Sequence, residues 1–228
     1  MRISVSGERV EELKGWFWDY VHTFQYSEPE RQQNIDMKKW HTLRVCAEIS
    51  SLGTQLGLNE DELRLAEIIA MLHDVGRFEQ YARYHTFVDG RSENHAELSV
   101  AIITATGILE LFDDAVRDLI VRSVRYHNRA SLPSDESETC LFYSRLVRDA
   151  DKLDIWKVVT DYYSRKDKDR NTAIELDLPD TPGFSEEVYH DLMNRRIVSI
   201  GHIKNLNDFK LLQIGWVFDI NFKPTLDR

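Results

Sequence analysis

The chain has 228 residues, of which 42% are hydrophobic and 30% are charged, so it suits one globular domain with a substantial core. Its formal net charge of −10 argues against a nucleic acid polymer as partner, because such binders carry a basic face. The two cysteines form no CxxC pair, and no apolar run has the length of a signal sequence or a membrane span. We therefore expect a cytoplasmic protein with no membrane partner.

The first part of the chain predicts two helices. Charged and aromatic residues at helical spacing indicate a helix over about 8–24, and the charged segment 27–34 predicts a loop. Asp36 is placed to cap a second helix, which ends before Gly57.

A third helix has the clearest start and leads to His73. Asn59 and Glu62 form a capping box, and an apolar face follows. Gly76 predicts the end of this helix. The polar stretch 77–93 then predicts a loop, and loops of that length often carry function.

The second part of the chain also predicts helices, because strand-like alternation is scarce. We expect helices that begin at Asn94, at Asp113 or Asp114, and at about 138, and the last of these ends near 165. A loop over 166–185 and two shorter helices, over about 186–197 and 208–219, should follow. The predicted fold class is therefore all-α.

Residues of metal-ligating types lie on or beside the inward faces of these helices: His41, His73, Asp74, His95, His127 and Asp151. Taken singly, a histidine at a helix end is more often a structural residue or a cap. Likewise, Asp151 alone could form a buried salt bridge. Taken together, the residues favour a metal site, since helical bundles build such sites from side chains on facing helices.

The same residues resemble the pattern of the HD-domain superfamily of metal-dependent phosphohydrolases, namely a histidine, then His-Asp, then a distant aspartate. The matching segments are KWHTLRV, LHDVG and RDADKLD. Members with two metal ions add two histidines, which His95 and His127 match. The resemblance covers about 35–165 and implies one HD-domain helical bundle over 1–228, with 166–228 as a C-terminal helical extension.

The resemblance also implies which residues hold the ions. A first ion would be held by His41, His73, Asp74 and Asp151. Asp74 would bridge to a second ion, held also by His95 and His127. Nitrogen and oxygen ligands without cysteine suit iron, manganese, cobalt or nickel, and suit magnesium less well.

Three residues are candidates for the catalytic chemistry. Asp74 is one of them as the bridging carboxylate, and Arg77 and Lys152 are placed to hold a substrate phosphate or to stabilise transition-state charge. The alternative for each cation is a structural ion pair, with Glu79 for Arg77 and with Asp149 or Asp154 for Lys152.

The implied activity is hydrolysis of a phosphate ester or anhydride by attack of a metal-activated water. The negative net charge favours a nucleotide or another small phosphorylated metabolite over a polymer. Two alternatives stay open. The first is a di-iron oxygenase, because some HD-domain proteins with this ligand set resemble such enzymes. The second is a nucleotide-sensing module that uses the same fold without turnover. The sequence leaves a homo-oligomer open as well.

Overall fold

The computed structural model describes residues 3–165 and 171–228. Over these residues the regular structure is helical and includes no strand, which confirms the all-α prediction. The chain divides into two compact units, Met1–Asp154 and Ile155–Arg228. In the same described ranges, each helix is too short or too polar to cross a lipid bilayer.

The helices of the first unit surround a core formed largely by α3. Their bounds are α1 Gly7–His22, α2 Pro29–Gln55, α3 Glu60–Leu72, α4 Gly76–Tyr84, α5 His95–Thr106 and α6 Asp114–Tyr126, and α7 (Glu138–Ser164) begins in this unit. Helix α3 packs against α1, α2 and α6, whereas α5 packs against α4 and α6. The last seven residues of α3 are almost all buried, so this helix delivers His73 to the interior.

Two predicted helix starts are confirmed by their caps. The Asn59 side chain accepts from the Glu62 N–H, and the Glu62 side chain accepts from the Asn59 N–H, which completes the capping box. The Asn94 side chain accepts from two N–H groups of the first turn of α5. These bonds satisfy N–H groups that a helix start would otherwise leave unpaired.

The predicted loop over 27–34 is wrong, because α2 begins at Pro29. Proline has a fixed φ and no N–H, and both properties suit the first position of a helix. A proline among charged residues therefore marked a helix start here and not a turn. Asp36 lies inside the helix, where it pairs with Lys39.

The predicted end at Gly76 is also wrong, since Gly76 begins α4, and the predicted loop over 77–93 is wrong where α4 occupies it, as far as Tyr84. A Cβ atom at this position would lie 2.6 Å from the backbone nitrogen of Ser99 and would overlap the carbonyl oxygen of His95. The Gly76 N–H donates to Ser99 Oγ, which in turn donates to the carbonyl oxygen of His73. Glycine therefore allows α5 to approach α4 closely, and this contact brings His95 towards His73.

The second unit has its own small core. Its helices are α8 Thr172–Glu175, α9 Glu186–Met193, α10 Leu206–Gly215 and α11 Lys223–Leu226. The buried core residues are Val188, Val198, Leu206, Phe209 and Leu212. The predicted loop over 166–185 lies in part outside the described residues, at 166–170, and its described part contains α8.

Candidate metal centre

The structure brings the six predicted ligands together around Asp74. Its Oδ2 lies 3.5 Å from Nε2 of His41 and 3.9 Å from Nε2 of His73. Its Oδ1 lies 3.5 Å from Nε2 of His95 and 3.8 Å from Nε2 of His127. The two oxygens of one carboxylate thus face two different pairs of histidines.

Asp151 completes the first of these groups. It lies on α7, and its Oδ1 is 3.2 Å from Nε2 of His41 and 3.9 Å from Nε2 of His73. Nε2 of His127 is 3.0 Å from Nε2 of His95 in the second group. Three helices, α2, α5 and α7, and the C-terminal ends of α3 and α6 therefore contribute to a single cluster.

His73 and His127 are oriented by the ends of their own helices. Each is the C-cap residue, of α3 and α6 respectively. Nδ1 of His73 donates to the carbonyl oxygen of Ala70 at 2.6 Å, and Nδ1 of His127 donates to that of Val124 at 2.7 Å. A carbonyl can only accept, so Nδ1 carries the hydrogen and the lone pair of the neutral ring lies on Nε2, towards the cluster.

His41 and His95 are oriented by carboxylates instead. Nδ1 of His41 lies 2.7 Å from Asp154, which is also held by two nitrogens of Arg44. Nδ1 of His95 lies 2.7 Å from Asp89. An ionised carboxylate only accepts, so both histidines also direct Nε2 towards the centre. Carboxylate–histidine pairs of this kind fix the ring orientation of metal ligands.

Asp89 is itself held by buried polar groups on α4. Nε2 of Gln80, which is fully buried, donates to Asp89 Oδ1 at 2.9 Å, and Arg77 donates to the same oxygen at 3.0 Å. The bond to His95 and the Arg77 charge outweigh burial and lower the pKa of the Asp89 carboxyl. Asp89 is not among the predicted site residues, because it lies in the segment that was expected to be irregular.

The cluster has the features of a site that could hold a metal ion. Among the described residues, Nε2 of His41 and Nε2 of His73 are buried nitrogens without a hydrogen-bond partner. Buried polar atoms are normally paired, so an unpaired nitrogen aimed at carboxylates requires an explanation. Two sets have ligand atoms within 4.8 Å of one another: His41 with His73 and Asp151, and His73 with Asp74 and His127. This donor set fits a divalent ion.

Burial favours the neutral form of three of the four histidines in the cluster. It lowers the pKa of His73, and it lowers that of His127 well below its ordinary value, where His95 and His73 add to the effect. Burial and the Arg77 charge also lower the pKa of His95. His41 differs, because Asp151 and Asp154 outweigh burial and raise its pKa. A neutral imidazole is the form that binds a metal.

Asp74 is ionised by the charges around it. Burial, the largest single influence, would raise its pKa, but the charges of Lys38, His73, Arg77 and His95 together outweigh it, so the pKa lies well below the ordinary value. Nζ of Lys38 donates to Asp74 Oδ2 at 2.9 Å. Lys38 is not among the predicted site residues, although it lies one turn before His41 on α2 and so shares its helix face.

Arg77 lies at the cluster and does not pair with Glu79. Its Nε is buried without a hydrogen-bond partner and lies 3.5 Å from Asp74 Oδ1. Its NH1 donates to Gln80, to Asp89 and to the carbonyl oxygen of Phe87. These three bonds fix the guanidinium beside Asp74.

Lys152 is buried on α7, next to Asp151 in the sequence. Its Nζ lies 3.5 Å from the carbonyl oxygen of Arg148, one turn earlier on the same helix. A buried ammonium one residue after a predicted ligand is consistent with the predicted role in phosphate binding, which stays a prediction.

The chain matches a family of known proteins. The model of the family described as HD domain matches residues 40–156, slightly more than half of the chain, and this range contains all six predicted ligands. No curated protein and no solved structure matches the chain.

Proposed function

Because the chain belongs to the HD domain family, which generally comprises metal-dependent phosphohydrolases, we propose that it hydrolyses a phosphate ester or anhydride with the help of two divalent ions. The observation that carries the proposal is the orientation of the histidines. All four direct Nε2 to the two oxygens of Asp74, and two of those nitrogens are buried and make no hydrogen bond.

The ligands divide between the two oxygens of Asp74. His41, His73 and Asp151 would hold one ion with Oδ2, and His95 and His127 would hold the other with Oδ1. Divalent ions bound there supply a Lewis acid for a phosphoryl oxygen and lower the pKa of a coordinated water towards 7. Histidine-rich ligands favour iron, manganese, cobalt or nickel over magnesium.

The chain itself supplies positioning and charge. Three hydrogen bonds fix the Arg77 guanidinium beside Asp74, so this group is pre-organised to hold a phosphoryl oxygen without a reorganisation cost. Lys152 brings a second buried cation next to Asp151. Charged hydrogen bonds to phosphate are stronger than neutral ones, so both cations would also stabilise the charge that develops on the leaving oxygen.

The substrate we propose is a nucleotide or another small phosphorylated metabolite. The net charge of −10 repels a polyanion except where local cations attract it. Local cations are present around the cluster: Lys38 and Arg77 lie at Asp74, and Arg44 holds Asp154, the partner of His41. A small phosphate can be bound by such a restricted set, whereas a polymer needs an extended basic surface.

The test is a substrate panel with reconstituted protein. Protein freed of metal is loaded with iron, manganese, cobalt, nickel or magnesium and offered nucleoside mono-, di- and triphosphates and sugar phosphates. We expect phosphate release that requires a transition metal and is lost in Asp74→Asn. The control is Asp36→Asn on α2, whose carboxylate pairs with Lys39 and does not touch the cluster.

Other outcomes of this experiment would overturn the proposal. Oxygen consumption with a small organic substrate, without hydrolysis of any phosphate, would show that the protein is an oxygenase and not a phosphohydrolase. Tight binding of a nucleotide that is never converted would show that the protein is a nucleotide-sensing module.

A further inference from the structure

Lys38 is in contact with the predicted bridging ligand, yet it lies just outside residues 40–156, which match the family. Its Nζ is 2.9 Å from Oδ2 of Asp74, and its side chain is 15% exposed. The ammonium also lies over the ring of Phe87, 5.4 Å from the centroid. A lysine held between a buried carboxylate and an aromatic face is not an ordinary solvated surface lysine.

We propose that Lys38 is a placeholder cation, which neutralises Asp74 in the metal-free protein and competes with the first divalent ion for Oδ2. This inference rests on the proposed function only in requiring that the cluster bind metal. Its consequence is that the chain itself lowers the affinity of its metal site.

The geometry puts the ammonium on the oxygen of the first ligand group. Oδ2 is the atom that faces His41 and His73, whereas Oδ1 faces the second pair of histidines. A divalent ion held by His41, His73 and Oδ2 would therefore lie within a few ångströms of Nζ. Like charges at such a distance repel strongly in a partly buried site.

The metal-free cluster needs this cation. A buried carboxylate without a compensating charge is costly, and removal of one partner of a buried pair is strongly destabilising. Arg77 is the other cation beside Asp74, but its Nε lies 3.5 Å from Oδ1 and makes no hydrogen bond with it. Lys38 is thus the cation that directly bonds Asp74.

The ammonium of Lys38 is also able to move away from Asp74. Its long flexible stem and its partial exposure let the ammonium move towards solvent when an ion takes its place. Metal binding then replaces the Lys38 ammonium on Oδ2 by the divalent ion. The measured free energy of metal binding is therefore reduced by the free energy of the Lys38–Asp74 ion pair.

The experiment is a titration of metal-free protein with Mn²⁺, followed by calorimetry, for wild type and three variants. We expect Lys38→Met to bind the first Mn²⁺ about tenfold more tightly or better, because the competing charge is gone. Lys38→Arg keeps the charge and should retain an affinity close to that of wild type. Lys39→Met is the matched control, since Lys39 pairs with Asp36 and lies over Trp40.

Thermal unfolding gives a second readout, which does not depend on activity. Metal-free Lys38→Met should unfold at a lower temperature than wild type, and saturating Mn²⁺ should raise its unfolding temperature by more than it does for wild type. If metal-free Lys38→Met does not fold, Lys38→Gln replaces it, because the amide still donates to Asp74 but carries no charge. We expect tighter Mn²⁺ binding for this variant too.

The outcomes separate this inference from the proposed function. If wild type binds Mn²⁺ and the neutral variants bind it equally or more weakly, Lys38 does not compete and the inference is wrong. If neither wild type nor any variant binds Mn²⁺, iron, cobalt or nickel, the proposed metal site itself is wrong.

Discussion

Each of the two compact units buries an aspartate, and the two carboxylates are compensated in different ways. Asp208 of the second unit accepts from the N–H and the hydroxyl of Ser185 and from the N–H of Lys204, at 2.6–3.0 Å. Asp74 of the first unit accepts from the ammonium of Lys38, and four imidazole nitrogens surround it without donating to it.

The difference separates a structural carboxylate from a functional one. Asp208 is satisfied by neutral donors of its own unit, whose bonds outweigh burial and lower its pKa, so it has no need of a ligand. The cluster around Asp74 leaves buried nitrogens of His41 and His73 unpaired. Burial alone does not distinguish the two, since both aspartates are almost fully buried.

The largest expected effect follows from Asp74→Asn. The amide keeps the size of the side chain but loses the charge and one of the two ligand oxygens, so turnover of a hydrolysed phosphate should fall by about 10³-fold or more. The measurement is the steady-state rate with saturating metal. A variant that keeps more than a tenth of the wild-type rate would place the chemistry elsewhere.

The matched change in the second unit is Asp208→Asn. The new amide group turns a donor towards donors, so the free energy of unfolding should fall by about 2 kcal/mol. Urea denaturation followed by circular dichroism measures it, and the metal content of the folded variant should equal that of wild type. Loss of metal from a folded Asp208→Asn protein would erase the distinction between the two aspartates.

A smaller effect is expected from Asp89→Asn, because this carboxylate acts on the site through His95. Loss of the charged acceptor should loosen the ring, and metal affinity should fall by about 10- to 100-fold. Titration with Mn²⁺ measures this change. Glu79→Gln, on α4 and paired with exposed Arg83, is the control and should leave the metal affinity unchanged.

The smallest effect is the pH dependence of the metal-free protein. The folded state lowers the pKa of His73, His95 and His127, so below about pH 6.5 the unfolded state binds more protons. The stability should therefore decrease as the pH falls from 7.5 to 5.5, with a partial offset from His41, whose pKa is raised.

Urea denaturation of the metal-free protein at the two pH values measures the effect. His127→Gln should flatten the dependence, because it removes the histidine with a strongly lowered pKa. Equal stability at both pH values in wild type would mean that the histidines are not buried in their neutral form.

Much of the fold and of the cluster could be predicted from local patterns. The capping box at Asn59 and the cap at Asn94 involve neighbours within one turn, so the sequence alone specifies them. The placement of His41 on an apolar stripe also depends only on helical periodicity. His73 and His127 can be a helix cap and a metal ligand at the same time, because the bond from Nδ1 to the helix end turns Nε2 to the cluster.

The rest depends on contacts between distant parts of the chain. Gly76 has the local signature of a helix end, but its function is to allow the approach of α5. Lys38 looks like one of many charged residues on an exposed helix face, and only the position of Asp74, on another helix, reveals its contact. Asp89 could not be assigned because its role depends on His95, Gln80 and Arg77 together.

The most direct test of the central claim is the metal content of the protein by elemental analysis. Wild type, loaded with a transition metal and freed of excess, should hold two ions per chain. Asp74→Asn should lose most of both, because the bridging carboxylate is shared, whereas Asp208→Asn should keep two. Equal metal in wild type and Asp74→Asn, or none in wild type with any of the metals tried, would contradict the account.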